Sequence, residues 1–281
     1  MSDSPSPVRC DLKLVYAGSL AVAVLMIAVS VAGILYWRDL YPASQAASSA
    51  GSDAFNLVAI LPVLLLSMWL ARRGRLIGLL LWPGALFYVL YIYAFYVIGL
   101  PVTVLFLPYV ALVVLSAYAL IGLVAGIDGD AVRQRLASHV PHRAAGGVLI
   151  GLAVLFIAMD AYAVVDMLAG NKPIDIQTST PWIVDLIVEC PALLLGGILL
   201  WRRAARGYAA GAGLLFQIAA LLIGVPVSFA LGAFLTGSPM DTDTITLLFV
   251  GVVPLGLLAF FMRGRGSGNM SMIPGHDTHA R

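Results

Sequence analysis

Asp185 and Glu189 stand four residues apart in the run Trp182-Ile-Val-Asp-Leu-Ile-Val-Glu-Cys-Pro191, which is otherwise apolar. An ionisable group inside a membrane-spanning run is expensive to hold and is a functional candidate for that reason. At i, i+4 the two carboxylates share one helical face. In a low dielectric they resist ionising together, which is the chemistry of a proton-binding site. Pro191 has no N–H, so it frees a carbonyl about four residues earlier, near Ile187, as a further oxygen ligand. Carboxylates joined by backbone oxygens suit a hard cation, a proton or an organic amine. Glu189 is the deepest acid, roughly 10–12 Å below its helix end at 1.5 Å per residue. It reads as a bundle-facing group, with a structural hydrogen-bond partner as the alternative. Asp185 follows Thr180 and Pro181, so it also reads as a first-turn acid favoured by the helix dipole.

Other side chains could complete such a site. Asp160 divides between interface and interior, whereas Asp166 reads as interfacial. Tyr88, Tyr91, Tyr93 and Tyr96 spread around one helix. The upper pair, Tyr93 and Tyr96, fits an aromatic belt, while Tyr88 and Tyr91 lie deep enough to face a cavity or pair with an acid, with packing in the membrane core as the plainer reading. Asn56 could form an opposite wall or act as an N-cap. Gln217 reads as an interhelical hydrogen-bonding group. Glu189, Asp185, Asp160, Asn56, Tyr88 and Tyr91 form the candidate ion, proton or substrate site.

Other chemistries lack their residues. The chain contains no Walker, HExxH or Gly-x-Ser-x-Gly motif, and no catalytic, cofactor or metal set is assigned. Cys10 and Cys190 have no metal-type spacing and fall near opposite ends of the membrane, so no disulfide between them is expected. His139, His142, His276 and His279 fall in loops or the tail, which argues against intramembrane haem ligands. Pro141 breaks helical geometry between His139 and His142, which read as a loop feature. Neither Lys13 nor Lys172 is mid-span, which removes a retinal-type Schiff base.

These residues need a membrane to position them. The chain has 281 residues, 61% of them hydrophobic and 11% charged, against about 25% charged in a soluble domain. Runs near 14–36, 55–71, 76–98, 102–125, 146–168, 182–201, 208–235 and 244–262 are each long enough to cross roughly 30 Å of hydrocarbon. The fold expected is all-α, a bundle of eight transmembrane helices. The first run is too long for a signal-peptide core and reads as a retained helix. Lys and Arg gather after alternate spans, 14 of the 16 on one side, with only Arg38 and Lys172 opposite. Positive charge stays inside, so both termini are expected in the cytoplasm. Residues 39–54 are Ala-, Ser- and Gly-rich and, like 169–181, read as irregular outer segments.

The two halves look duplicated. Asn56-Leu-Val-Ala-Ile-Leu-Pro62 and Asp185-Leu-Ile-Val-Glu-Cys-Pro191 each place a polar residue six before a proline. Arg72-Arg73 and Arg202-Arg203 follow, and then a Gly-rich span. Each half enters from the same side, so a 4+4 parallel internal repeat is expected, about an axis along the membrane normal. The organisation expected is a cytoplasmic segment 1–13, a first half 14–126, a linker 127–145, a second half 146–262 and a disordered cytoplasmic tail 263–281. Gly207-x-x-x-Gly211 could serve internal packing or dimerisation.

The stretch Leu81 to Leu120, with its Tyr-rich third span after Arg72-Arg73, resembles a group of uncharacterised bacterial multi-span membrane proteins of about eight helices. The pattern Asp185 to Pro191 and the Arg202-Arg203 hinge are also similar to theirs. The resemblance covers about half the chain. Members of that group often carry Asn where this chain has Ile92, and Asn-Pro where it has Thr103-Val104. The group has no assigned activity, so the resemblance implies architecture alone.

The expected setting is a bacterial plasma membrane, with the lipid bilayer as partner and a small cation or solute as ligand. The net charge of +2 gives no reason to expect nucleic acid. The function expected first is transport or binding of a cation, proton-coupled solute or small amine. A membrane-embedded enzyme on a lipid-like substrate is a second reading, and it lacks a nucleophile, metal triad or phosphate-binding Arg cluster at the outer site. A non-catalytic sensor or assembly factor is a third.

Overall fold

A computed structural model of the chain describes residues 12–137, 140–170, 176–237 and 252–259. Among these residues the chain is helical and has no strand. Helix α1 (Lys13–Leu35) is followed by the short α2 (Trp37–Leu40). Helix α3 (Ala46–Phe55) runs through a π turn (Asn56–Ile60) into α4 (Leu61–Arg72). Helices α5 (Leu76–Gly99), α6 (Phe106–Gly126), α7 (Gly129–Leu136) and α8 (His142–Leu168) come next. Then α9 (Ile176–Val184) runs through a second π turn (Asp185–Glu189) into α10 (Cys190–Trp201), and α11 (Ala205–Thr236) follows.

Seven of these helical rods are long and apolar enough to cross a membrane. They match the first seven expected spans to within a few residues, with one large exception. The second rod begins at Ala46 and runs to Arg72, so most of the expected outer loop 39–54 is helix. Its small residues are packing surface: Gly51 lies against the backbone of Ser228, and Gly232 against that of Ala47. In a membrane, small side chains let backbones approach, because burying apolar bulk gives no advantage there. Of the eighth expected span, 252–259 is helical and the remainder lies outside the described residues, as do the tail 263–281, Cys10, His139 and Lys172. The expected linker 127–145 holds α7, which Asp128 caps by accepting from Asp130 N and Ala131 N at 3.0 and 3.3 Å.

The bundle turns apolar side chains outward, with Leu14 86%, Leu107 73% and Tyr162 72% exposed. Such a surface is costly in water and matched to acyl chains. The rods fold back and forth, so Lys13, Arg72, Arg73, Arg133, Arg143, Arg202 and Arg206 share one end, the basic end. Helix α5 is central: 83% of its apolar window is buried, against 17% for α8. It is apolar all round, the pattern of a helix enclosed by others.

Both π turns end at a proline. Pro62 and Pro191 lack the N–H that would bond four residues back, and their rings crowd the carbonyl there. The helix widens instead: Leu61 N–H bonds to the Asn56 carbonyl and Cys190 N–H to the Asp185 carbonyl, five residues earlier. The two turns start 129 positions apart, as do α1 and α8, which begin at Lys13 and His142. Helices α5 and α11 cross at Gly84 and Gly213, also 129 apart, and a Cβ on Gly213 would lie 3.0 Å from Gly84 N. Gly51 meets Ser228, and the residues 129 positions away from each, Thr180 and Gly99, meet each other. Gly207 closes on the backbone of Leu199 and Leu200, so it serves internal packing.

Candidate functional site

Between α3, α5, α9 and α11, toward the end opposite the basic residues, lies a cavity of about 370 Å³. Tyr88, Tyr91, Phe95, Tyr96, Phe156 and Phe229 make its walls largely aromatic. Ser48, Ser49 and Ser52 of α3 add hydroxyls on one side. Among the described residues Asp185 is the one carboxylate on the wall, and no Lys or Arg lines it. The first turn of α5 is far below; the cavity draws on its last three turns.

Tyr91 donates its O–H to Asp185 Oδ1 at 2.6 Å, fixing the carboxylate against the wall. Asp160 of α8 is buried, 5% exposed, and its Oδ2 has no hydrogen-bond partner among the described residues. Glu189 is fully buried and accepts from Gln217 Nε2 at 2.7 Å, while its Oε1 and the Gln217 Oε1 have no partner among the described residues.

Asp185 lines the cavity, and Glu189 four residues on bonds Gln217 of α11, so the two acids have different partners. Tyr88 lines the cavity with Tyr91. Asn56 does not line it and is no N-cap, because α3 continues upstream of it. It sits at the start of the first π turn, 1% exposed, with neither amide atom partnered among the described residues. Tyr93 and Tyr96 are buried, 0% and 2% exposed, and so form no belt facing lipid. His142 opens α8 and accepts from Arg203 Nε at 2.9 Å.

A second buried carboxylate escaped sequence reasoning. Asp53, fully buried in α3, accepts a hydrogen bond from the Tyr41 hydroxyl and one from Ser30. Tyr41 and Tyr109 hydroxyls lie 3.4 Å apart, and Ser30 Oγ lies 3.2 Å from the Tyr93 hydroxyl. Tyr96 donates to the Ser49 carbonyl at 3.2 Å. The Tyr93 and Tyr109 rings stack at 5.7 Å, and Tyr96 meets Tyr109 edge-on at 5.2 Å. Gly33 of α1 makes the space, since a Cβ there would overlap the Asp53 carboxylate and the Tyr41 hydroxyl. The cluster stands directly behind the cavity, sharing Tyr96 and Ser49 with its wall. Asp53 hid in a stretch whose small residues read as loop; the signal that could have found it is the spacing Ala47 to Gly51, small residues four apart, which marks a helix interface.

Among the described residues no group of three or more His, Cys, Asp or Glu converges as a metal-holding set. Compared with protein-family models, curated proteins and solved structures, the chain matches none.

Proposed function

We propose that this chain is a cell-membrane protein that binds and moves a small organic amine, coupled to protons, through the cavity between two parallel four-helix repeats. In this reading the protein has eight spans, helix 252–259 belongs to the last of them, and the basic end faces the cytoplasm. The distribution of Lys and Arg supports that orientation. The repeat is supported by the spacing of 129 that relates the π turns, and by Gly84 touching Gly213, as a pseudo-twofold axis along the membrane normal would require. The cavity then sits on that axis, walled by α3 and α5 of one repeat and α9 and α11 of the other.

The observation that carries the proposal is the pairing of one carboxylate with an aromatic wall in a cavity that no Lys or Arg lines among the described residues. A hard cation asks for many oxygens. An organic ammonium asks for one counter-charge and for ring faces, each worth about 0.5–2 kcal/mol when desolvated. Asp185 is the counter-charge and Tyr91 holds it in place. Glu189 and Asp160 next to it, and Asp53 behind the opposite wall, are the proton-carrying groups of this reading.

The test follows thermal unfolding of the purified chain in detergent with 2-phenylethylamine and with uncharged 2-phenylethanol. A ligand of the native state raises apparent stability by mass action. The amine stabilises more than the alcohol, and Asp185→Asn weakens the amine by about tenfold or more, the loss of a hydrogen bond to a charged group. Equal stabilisation by both compounds, or by neither, defeats the reading.

A further inference from the structure

We propose that Asp53 and Asn56 hold a sodium ion inside the first half of the bundle. The site shares neither Asp185 nor Tyr91 with the amine reading and does not depend on what the cavity binds. An ion at Asp53 takes the place of a proton there.

The two side chains stand three residues apart, where the helix is still α: the Asn56 N–H bonds back to the Ser52 and Asp53 carbonyls. They are about 60° apart around the axis and about 4.5 Å apart along it, near enough for both to touch one small ion. Both are sealed, 0% and 1% exposed. Asp53 lies against α1, where a Cβ on Gly33 would overlap its carboxylate. The π turn that Asn56 opens packs on α1 as well.

The unmet atoms point to the occupant. Asp53 accepts from the Tyr41 hydroxyl through Oδ2 and also from Ser30, both neutral donors. Its Oδ1 has no hydrogen-bond partner among the described residues, and neither Asn56 Oδ1 nor Nδ2 has one. Buried polar atoms are costly in that condition, and folded proteins meet them with an ion or an ordered water. The amide and the carboxylate are neighbours that do not bond each other, as two oxygens do around a shared cation. A proton on Asp53 would neutralise the acid and leave the Asn56 amide unmet. A water would meet the amide and leave the charge. Sodium answers both, with Ser30 and Tyr41 bringing further oxygens to the same carboxylate. Hard cations take oxygen ligands, and one carboxylate matches one positive charge. Among the described residues no set of three His, Cys, Asp or Glu converges as a divalent ion would ask. The close packing at Gly33 favours the smaller alkali ion. In the second half Asp185 stands 129 positions after Asn56, at the start of the other π turn, and has Tyr91 as its donor. The unmet amide is therefore particular to the first half.

The experiment uses the full purified chain in neutral detergent at one pH. Thermal unfolding is followed in sodium, potassium and choline chloride at equal total salt, and retention of radioactive sodium is measured alongside. Sodium is expected to raise the unfolding temperature by mass action and to be retained, with potassium far weaker. Asn56→Leu keeps the carboxylate and removes the unmet amide, so in choline it is at least as stable as the wild type. It needs about tenfold more sodium for the same rise, the loss of one ligand. Asp53→Asn abolishes retention, and Asn56→Leu carries the test if that variant does not fold. Asp185→Asn, in the cavity, leaves the sodium response unchanged, so this proposal and the amine reading can fail separately. The proposal falls if the unfolding temperature is the same in all three salts, if potassium matches sodium, or if Asn56→Leu responds to sodium as the wild type does.

Discussion

Two seams of the bundle occupy corresponding places and have opposite characters. Helix α8 lies on α10 with backbones touching: a Cβ on Gly146 would sit 2.8 Å from the Gly197 carbonyl, and one on Gly197 would sit 3.0 Å from the Gly146 carbonyl. The positions 129 earlier are Ala17 and Met68, and they line the open groove between α1 and α4. Trp201, whose backbone closes on Gly146, is answered by Arg72 at the mouth of that groove. In hydrocarbon, helices are drawn together by close packing and not by burial of apolar area. Two side chains therefore decide whether a seam is shut or left open. The same spacing of 129 relates the two proline-driven π turns.

The sharpest way to break that comparison is to add bulk to the closed seam. Gly146→Leu places its side chain against the backbone of Gly197 and Trp201. These atoms are main chain and cannot swing aside. The expected loss is about 3 kcal/mol, the upper end for overpacking a well-packed core, read as a lowered unfolding midpoint in detergent. A Gly146→Leu protein as stable as the wild type would mean that the seam is looser than the contact implies.

The halves also differ at the end opposite the basic residues. In the first, Asp53 is sealed among Tyr41, Tyr109, Ser30 and Tyr93. In the second, Asp185 is held by Tyr91 on the wall of a cavity. Tyr41→Phe removes a donor from a carboxylate that water does not reach, so it costs about 1–3 kcal/mol. Tyr91→Phe leaves Asp185 beside a space where water can take over the hydrogen bond, and costs about half as much or less. The two unfolding midpoints, measured side by side, check this. A reversed order would mean that Asp53 has access to solvent and Asp185 has none.

Much of this arrangement was legible in the sequence. Long apolar runs fix spans because only a helix satisfies its backbone in lipid, and seven of them stand where their hydropathy put them. The polar residue six before a proline, in both halves, marked what became the π turns. Glu189, read as bundle-facing from the cost of holding an acid in a span, is fully buried. Tertiary packing supplied the rest. Asp53 was missed because Ala, Ser and Gly around it carry no apolar period, although Gly51 and Gly232 make that segment a tight interface. Tyr93 and Tyr96 were assigned to a belt facing lipid, but a tyrosine in a span can turn to a buried carboxylate as readily as to the interface, and sequence does not say which way the helix is rotated.

The smallest expected effect is the mate of the largest. Ala17→Leu adds the same isobutyl group as Gly146→Leu, at the position 129 residues earlier, but into a groove of about 390 Å³. No main-chain atom has to move, and Leu is about as good a helix former as Ala. In detergent without lipid the unfolding midpoint should stay within about 0.5 kcal/mol of the wild type, the range of a change away from packed features. A large destabilisation would mean that α1 and α4 already touch where the groove is drawn, and the contrast between the two seams would disappear. Unchanged stability would show that the methyl of Ala17 contributes little to holding the bundle together and that its small size leaves the groove open.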